Sequence, residues 1–114
     1  MPLPSKTEVI ARIRELADQE KLEPSRKARQ QLRNLGFSIS DACDMLWELE
    51  VKSCVKIETG KWIPGQIVVT FITCFLSEDR EKEGFEEGDD LFVEVAINED
   101  GLYLLACKQD GSPQ

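Results

Sequence analysis

Polar and apolar residues recur with a period near 3.6 up to Glu50, and beyond it the period shortens to 2, so helices are expected first and strands afterwards. "SKTEVIARIRELADQE" predicts a helix with Ser5 as N-cap and Glu8 three residues on, the spacing that lets side chains satisfy two orphaned backbone donors. Val9, Ile13, Leu16 and Ala17 share one of its faces. "SRKARQQLRNLG" opens on Pro24 and Ser25, repeats Ala28, Leu32 and Leu35 at helical spacing, and should end at Leu35, where Gly36 is suited to the left-handed position after a helix. "SISDACDMLWELE" is capped by Ser38 with Asp41 at the third position, and it offers Ile39, Cys43, Leu46, Trp47 and Leu49 to a core.

In "VKSCVKIE", Val51, Ser53, Val55 and Ile57 alternate with Lys52, Cys54, Lys56 and Glu58, which describes a half-exposed strand. Thr59-Gly60 and Pro64-Gly65 mark turns around Trp62. "IVVTFITCFL", Ile67 to Leu76, is apolar on both sides of the pleat and rich in β-branched residues, and is expected in the middle of the sheet. "SEDREKEGFEEGDD", residues 77–90, carries eight acids and two bases and reads as a solvated loop. "LFVEVAI" and "LYLLACK" flank "NEDG", a hairpin connection, and "QDGSPQ" is a frayed tail. The expected architecture is α+β, a two-layer sandwich with N-terminal helices on one face of an antiparallel sheet. One domain is expected over 1–114, helical over about 5–50 and sheet over about 51–108, the size of a single core.

Composition narrows the chemistry. The net charge of −8 is uneven: residues 1–36 carry eight Lys or Arg against five acids, a balance of +3, which leaves −11 for the rest. Such a chain repels nucleic acid at long range while a local basic patch can hold phosphate at close quarters. With no histidine, acid–base chemistry falls to Lys, Tyr, Arg, Asp, Glu or Cys. Cys43, Cys54, Cys74 and Cys107 form no CxxC pair and read as small buried hydrophobes of a reducing compartment. No apolar run approaches the roughly 20 residues that span a bilayer, and "MPLPSKTEV" lacks an apolar signal core, so a cytoplasmic protein without membrane partners is expected. Asp89, Asp90 and Glu94 could offer oxygens to a hard cation, but match no ordered calcium-loop spacing. Neither metal nor cofactor is therefore expected.

Three groups are candidates for binding. Arg26, Arg29 and Arg33 share a helix face with Lys27 beside them, which suits phosphate recognition by Arg forks and equally suits a solvated helix surface. Lys52 and Lys56 project from one side of the first strand, and with Lys61 and Lys108 they would form a cationic cluster; lysines also protect an edge strand from aggregation. Trp47 and Trp62 are expected as core and covering residues.

The order of parts resembles the MqsR (motility quorum-sensing regulator) family of toxins from bacterial toxin–antitoxin systems. "VIARIRELADQEKLEPSRKARQQLRNLGFSISDACDMLWELEVKSCVK" matches its opening in order: a helix, a short link, a basic helix ending in Leu-Gly, a helix, then a strand entered through a lysine. "DLFVEVAINEDGLYLLACKQDG" is similar to its closing hairpin. The resemblance implies a RelE-like fold, metal-free cleavage of messenger RNA, and RNA and a cognate antitoxin as partners. It implies catalytic roles for Lys56, within "SCVKIE", and for Gln66 before the long strand. In that family's pattern Val55 would be aromatic and Ile57 a serine, and the tyrosine expected in the central strand has no counterpart in "IVVTFITCFL"; the one tyrosine is Tyr103. RNA contacts are then expected from Arg26, Lys27, Arg29, Arg33, Lys52 and Lys108. The alternative is a non-catalytic interaction module on the same scaffold, binding a basic protein or peptide through the acidic loop and a sheet edge.

Overall fold

A computed structural model describes residues 4–60, 65–74, 90–98 and 101–109. The elements run α1 (Lys6–Asp18), β1 (Leu22–Pro24), α2 (Arg26–Leu35), α3 (Ile39–Trp47), a 3-10 turn (Val51–Ser53), β2 (Cys54–Thr59), β3 (Ile67–Cys74), β4 (Asp90–Ile97) and β5 (Leu102–Gln109). The protein is an α+β sandwich whose five-stranded sheet has the order β1-β5-β4-β3-β2, antiparallel except where β1 runs parallel to β5.

Each helix begins on the predicted serine. Ser5 Oγ accepts from the Glu8 N–H, Ser25 Oγ from Ala28, and Ser38 Oγ from Asp41. Around Ser38 the bond is reciprocated, because Asp41 Oδ2 accepts from the Ser38 N–H at 2.9 Å, so two orphan donors are satisfied together. α2 closes on Gly36 at φ 74°, with Phe37 N–H reaching Leu32 O and Gly36 N–H reaching Arg33 O. α1 closes through the same pair of bonds, Lys21 to Leu16 and Glu20 to Ala17, but its left-handed residue is Glu20 at φ 56°. The reversed chain then lays Leu22–Pro24 along β5, a short strand beyond the reach of the sequence periodicity. Its proline lacks a donor, which is tolerated at a sheet edge.

The core lies between helices and sheet. Val9, Ile13 and Leu16 of α1, Ala28 and Leu32 of α2, and Ala42, Met45 and Leu46 of α3 meet Val69, Phe71, Leu91, Val93, Val95, Leu102, Leu104 and Cys107 in one buried cluster. Arg14 ties α1 to the end of α3 by donating to the Leu49 carbonyl. Where β1 stops, α2 takes over the edge of β5: Gln31, only 3% exposed, accepts the Cys107 N–H through Oε1 at 2.9 Å. A helix side chain thus does what a further strand would have done.

Several expectations need correction. The most interior strand is β4, with β3 between it and β2, because β5 carries a fifth strand on its far side. Lys52 sits on the 3-10 turn, not on a strand, since pairing with β3 starts only at Cys54. A register shift between Cys54 and Lys56 reverses the alternation, so that Cys54 faces the core with Ile57 and Val55 is left 59% exposed. Trp47 and Ile39 are on the surface, 54% and 43% exposed, because α3 turns Ala42, Met45 and Leu46 inward. Trp62, Lys61 and residues 77–89 of the acidic loop lie outside the described residues.

A candidate nucleic-acid interface on the open sheet face

Strand residues alternate between two faces, and only one belongs to the core. The registers order the opposite face into rows. Glu58, Val68, Ala96, Tyr103 and Glu23 form one row, Lys56, Thr70, Glu94 and Ala106 the next, and Ile72, Phe92 and Lys108 the third. Ala96 and Ala106 are buried yet outside the core cluster, as small residues shaded by larger neighbours on this second face would be. No described helix packs here. Val68, Ile72, Phe92, Tyr103 and Leu105 are all half-buried, so the floor that carries the polar groups is apolar.

Glu94 occupies the centre, between Thr70 and Ala106. Lys56 lies two strands away in the same row, an interval of about 10 Å between backbones at the usual strand spacing. Its Nζ pairs with Glu58 Oε2 at 3.3 Å along the strand, with both side chains well exposed. Such a surface pair contributes little and yields readily to a competing anion. Lys108 folds over Phe92, its Nζ 5.6 Å from the ring centroid, which holds an ammonium one row from Glu94.

Gln66 and Tyr103 meet at the next corner. They line a depression of about 410 Å³ with Glu23, Pro24, Ser25 and Leu105. Ser25 is already committed, since its hydroxyl accepts from Ala28 and donates to the Leu105 carbonyl. Two glycines make room: a Cβ on Gly60 would lie 2.8 Å from Gln66 Oε1, and one on Gly101 would lie 3.1 Å from the Tyr103 hydroxyl. The bare backbones let both side chains lie across them.

The other sequence candidates do not join this face. Arg26, Lys27, Arg29 and Arg33 are exposed on α2, which packs against β5 and β1, whereas Lys56 is on β2 at the other edge of the sheet. Lys52 pairs with Glu50 at 3.3 Å on the 3-10 turn. Among the described residues no three Cys, Asp or Glu side chains gather as a metal site, and Cys43, Cys54 and Cys107 are buried free thiols. Glu94, foreseen only as a cation ligand, is the residue whose place matters most. Its signal was a carboxylate alone in the apolar alternation of "LFVEVAI".

The arrangement places three carboxylates (Glu23, Glu58 and the central Glu94), two ammonium groups, an amide and a phenol on one apolar platform open to solvent. It can take up a proton at Glu94, neutralise an anion from Lys56 and Lys108, and offer the flat Tyr103 ring to a stacked base. No protein-family model matches the chain, and no curated protein does either.

Proposed function

We propose that this chain is a metal-independent endoribonuclease of the RelE/MqsR-like toxin kind, working on single-stranded RNA across the open sheet face. The observation that carries the reading is the row Lys56, Thr70, Glu94, with Lys108 one row away. In the proposed reaction the ribose 2′-oxygen attacks the adjacent phosphorus as Glu94 takes its proton. The bond from phosphorus to the 5′-oxygen breaks, and the Lys56 ammonium supplies the proton that this oxygen needs. The products are a cyclic 2′,3′-phosphate and a free 5′-hydroxyl. Lys108 offsets the charge on the phosphoryl oxygens. Gln66 and Tyr103 hold the neighbouring nucleotide, the first by amide hydrogen bonds and the second by stacking. The resemblance to MqsR-like toxins supports the same reading and adds an antitoxin as partner.

The test is cleavage of a mixed single-stranded RNA by purified protein at low and physiological salt, with EDTA present throughout. Glu94→Gln and Lys56→Ala should each lower the rate by about 10²- to 10⁴-fold, the range for loss of a proton-transferring group. Expression without a partner should arrest growth, and Lys56→Ala should relieve the arrest. If RNA is neither cut nor bound at low salt, the interaction-module reading takes its place, for which the exposed β2 edge around Val55 is the supporting observation.

A further inference from the structure

We propose that the outward face of α3, together with the end of α1, is a docking site for a basic amphipathic helix of another protein. This surface is on the helical side of the molecule and does not depend on how the open sheet face is read.

Ile39, Cys43 and Trp47 fall at i, i+4 and i+8, so they form one stripe along α3. Its ends are the exposed Ile39 and Trp47, two of the four large hydrophobics that the described residues leave exposed. Beside the Cys43–Trp47 part of this stripe lies a trench of about 260 Å³ between α3 and the end of α1, with the buried Ala17 and Cys43 at its base and Trp47 on one side. The rest of its lining is polar, Asp18, Glu20, Asp44 and Ser40, and among the described residues no Lys or Arg lines it. The field of these acids reaches the base: after burial itself, the carboxylates of Glu20 and Asp44 are what push the Cys43 thiol above its ordinary value.

Charge and shape together select the occupant. Three carboxylates beside the exposed Trp47 and Ile39 call for Lys or Arg flanking apolar side chains. Ile39 and Trp47 are about 12 Å apart along the axis at 1.5 Å per residue, which an opposing helix matches with apolar residues two turns apart. A second copy of this chain does not fit. Among the described residues the basic helix is α2, with Arg26, Arg29 and Arg33 exposed, and it spends its apolar side, Ala28, Leu32 and Leu35, on its own core.

The experiment titrates the full-length protein with a Leu/Lys peptide of about 18 residues, long enough for five helical turns, and maps backbone amide shifts by NMR. A Leu/Glu peptide of the same pattern is the control. Shifts should concentrate on residues 17–20 and 39–48, weaken with salt and be absent with the control. Trp47→Ser should raise Kd at least about tenfold, as loss of an aromatic anchor does, and Glu20→Gly with Asp44→Asn should raise Kd and flatten its salt dependence, as loss of rim charge does. Both sets change surface positions and leave the core intact. Lys56→Ala should bind the peptide unchanged, whatever its effect on RNA. No binding at millimolar peptide, shifts centred on the open sheet face, equal affinity in the variants, or self-association that buries Trp47 would each overturn the proposal.

Discussion

Glu20 shows how much one residue can reveal. α1 and α2 close with the same two backbone bonds, yet α2 uses Gly36 in the left-handed position and α1 uses a glutamate. A side chain there costs about 1–2 kcal/mol, while glycine would lose about 0.5–1 kcal/mol to its freer unfolded chain. Glu20→Gly should therefore raise stability by about 0.5 kcal/mol, read as a higher urea midpoint at unchanged slope. A fall in the midpoint would show that the carboxylate has a folded partner. Backbone strain of this kind collects where a side chain is needed for something other than folding.

The buried thiols give a second test at this scale. Burial raises Cys43, with Glu20 and Asp44 adding to it, and burial raises Cys54 against the opposing pull of Lys6 and a backbone hydrogen bond from Lys56. A thiol with a raised folded pKa holds its proton more tightly when folded. Its contribution is complete below the unfolded thiol value of about 8.5 and is lost as pH rises through the folded value. Urea midpoints should thus decline above about pH 8.5, and decline less in a Cys43→Ala, Cys54→Ala variant. Parallel curves for the two proteins would refute this.

Elements differ in how plainly the sequence announces them. The three helices were legible because Ser5, Ser25, Ser38 and Gly36 act within a single turn, and a turn is as far as a local pattern reaches. β1 was not, since three residues carry no period and Leu22–Pro24 is a strand only because Leu102–Leu104 lies beside it. The phase of β2 was hidden by its bulge: strict alternation puts Val55 inside and Cys54 outside, and the register shift at that point exchanges them. Gln31 looked like one polar residue in a basic helix, and its partner is 76 positions away. Gln31→Leu leaves the Cys107 N–H buried without an acceptor, so stability should fall by about 1–3 kcal/mol. Amide exchange at Cys107 should accelerate while exchange in α3 holds; a uniform change would mean the bond is not local to that edge.

The molecule as a whole presents two differently built sides. The sheet presents Lys56, Lys108 and Glu94 on an apolar floor, and the helical layer presents an acid-rimmed trench beside Trp47. The open face could be expected only in outline, because the sequence predicts that a sheet has a second side without saying which residues from four strands share a row. If RNA takes the sheet and a basic helix takes α3, the two should bind together. Peptide affinity at saturating RNA should then match that of the protein alone within about twofold, since unlinked sites have no coupling free energy. Strong competition would place both ligands on one surface.

The parallel pairing of Leu22–Pro24 with Leu102–Leu104 also sets a schedule for synthesis. At about 5–20 residues per second, the strand that α2 and β1 lean on is translated roughly 4–16 s after them. Through that interval Ala28 and Leu32 have no sheet to cover them, and only the cationic outer face of α2 keeps that segment wetted. A nascent chain of this protein is therefore most exposed to chaperones and proteases just before Leu102–Gln109 is made, the strand on which β1 and α2 both rest.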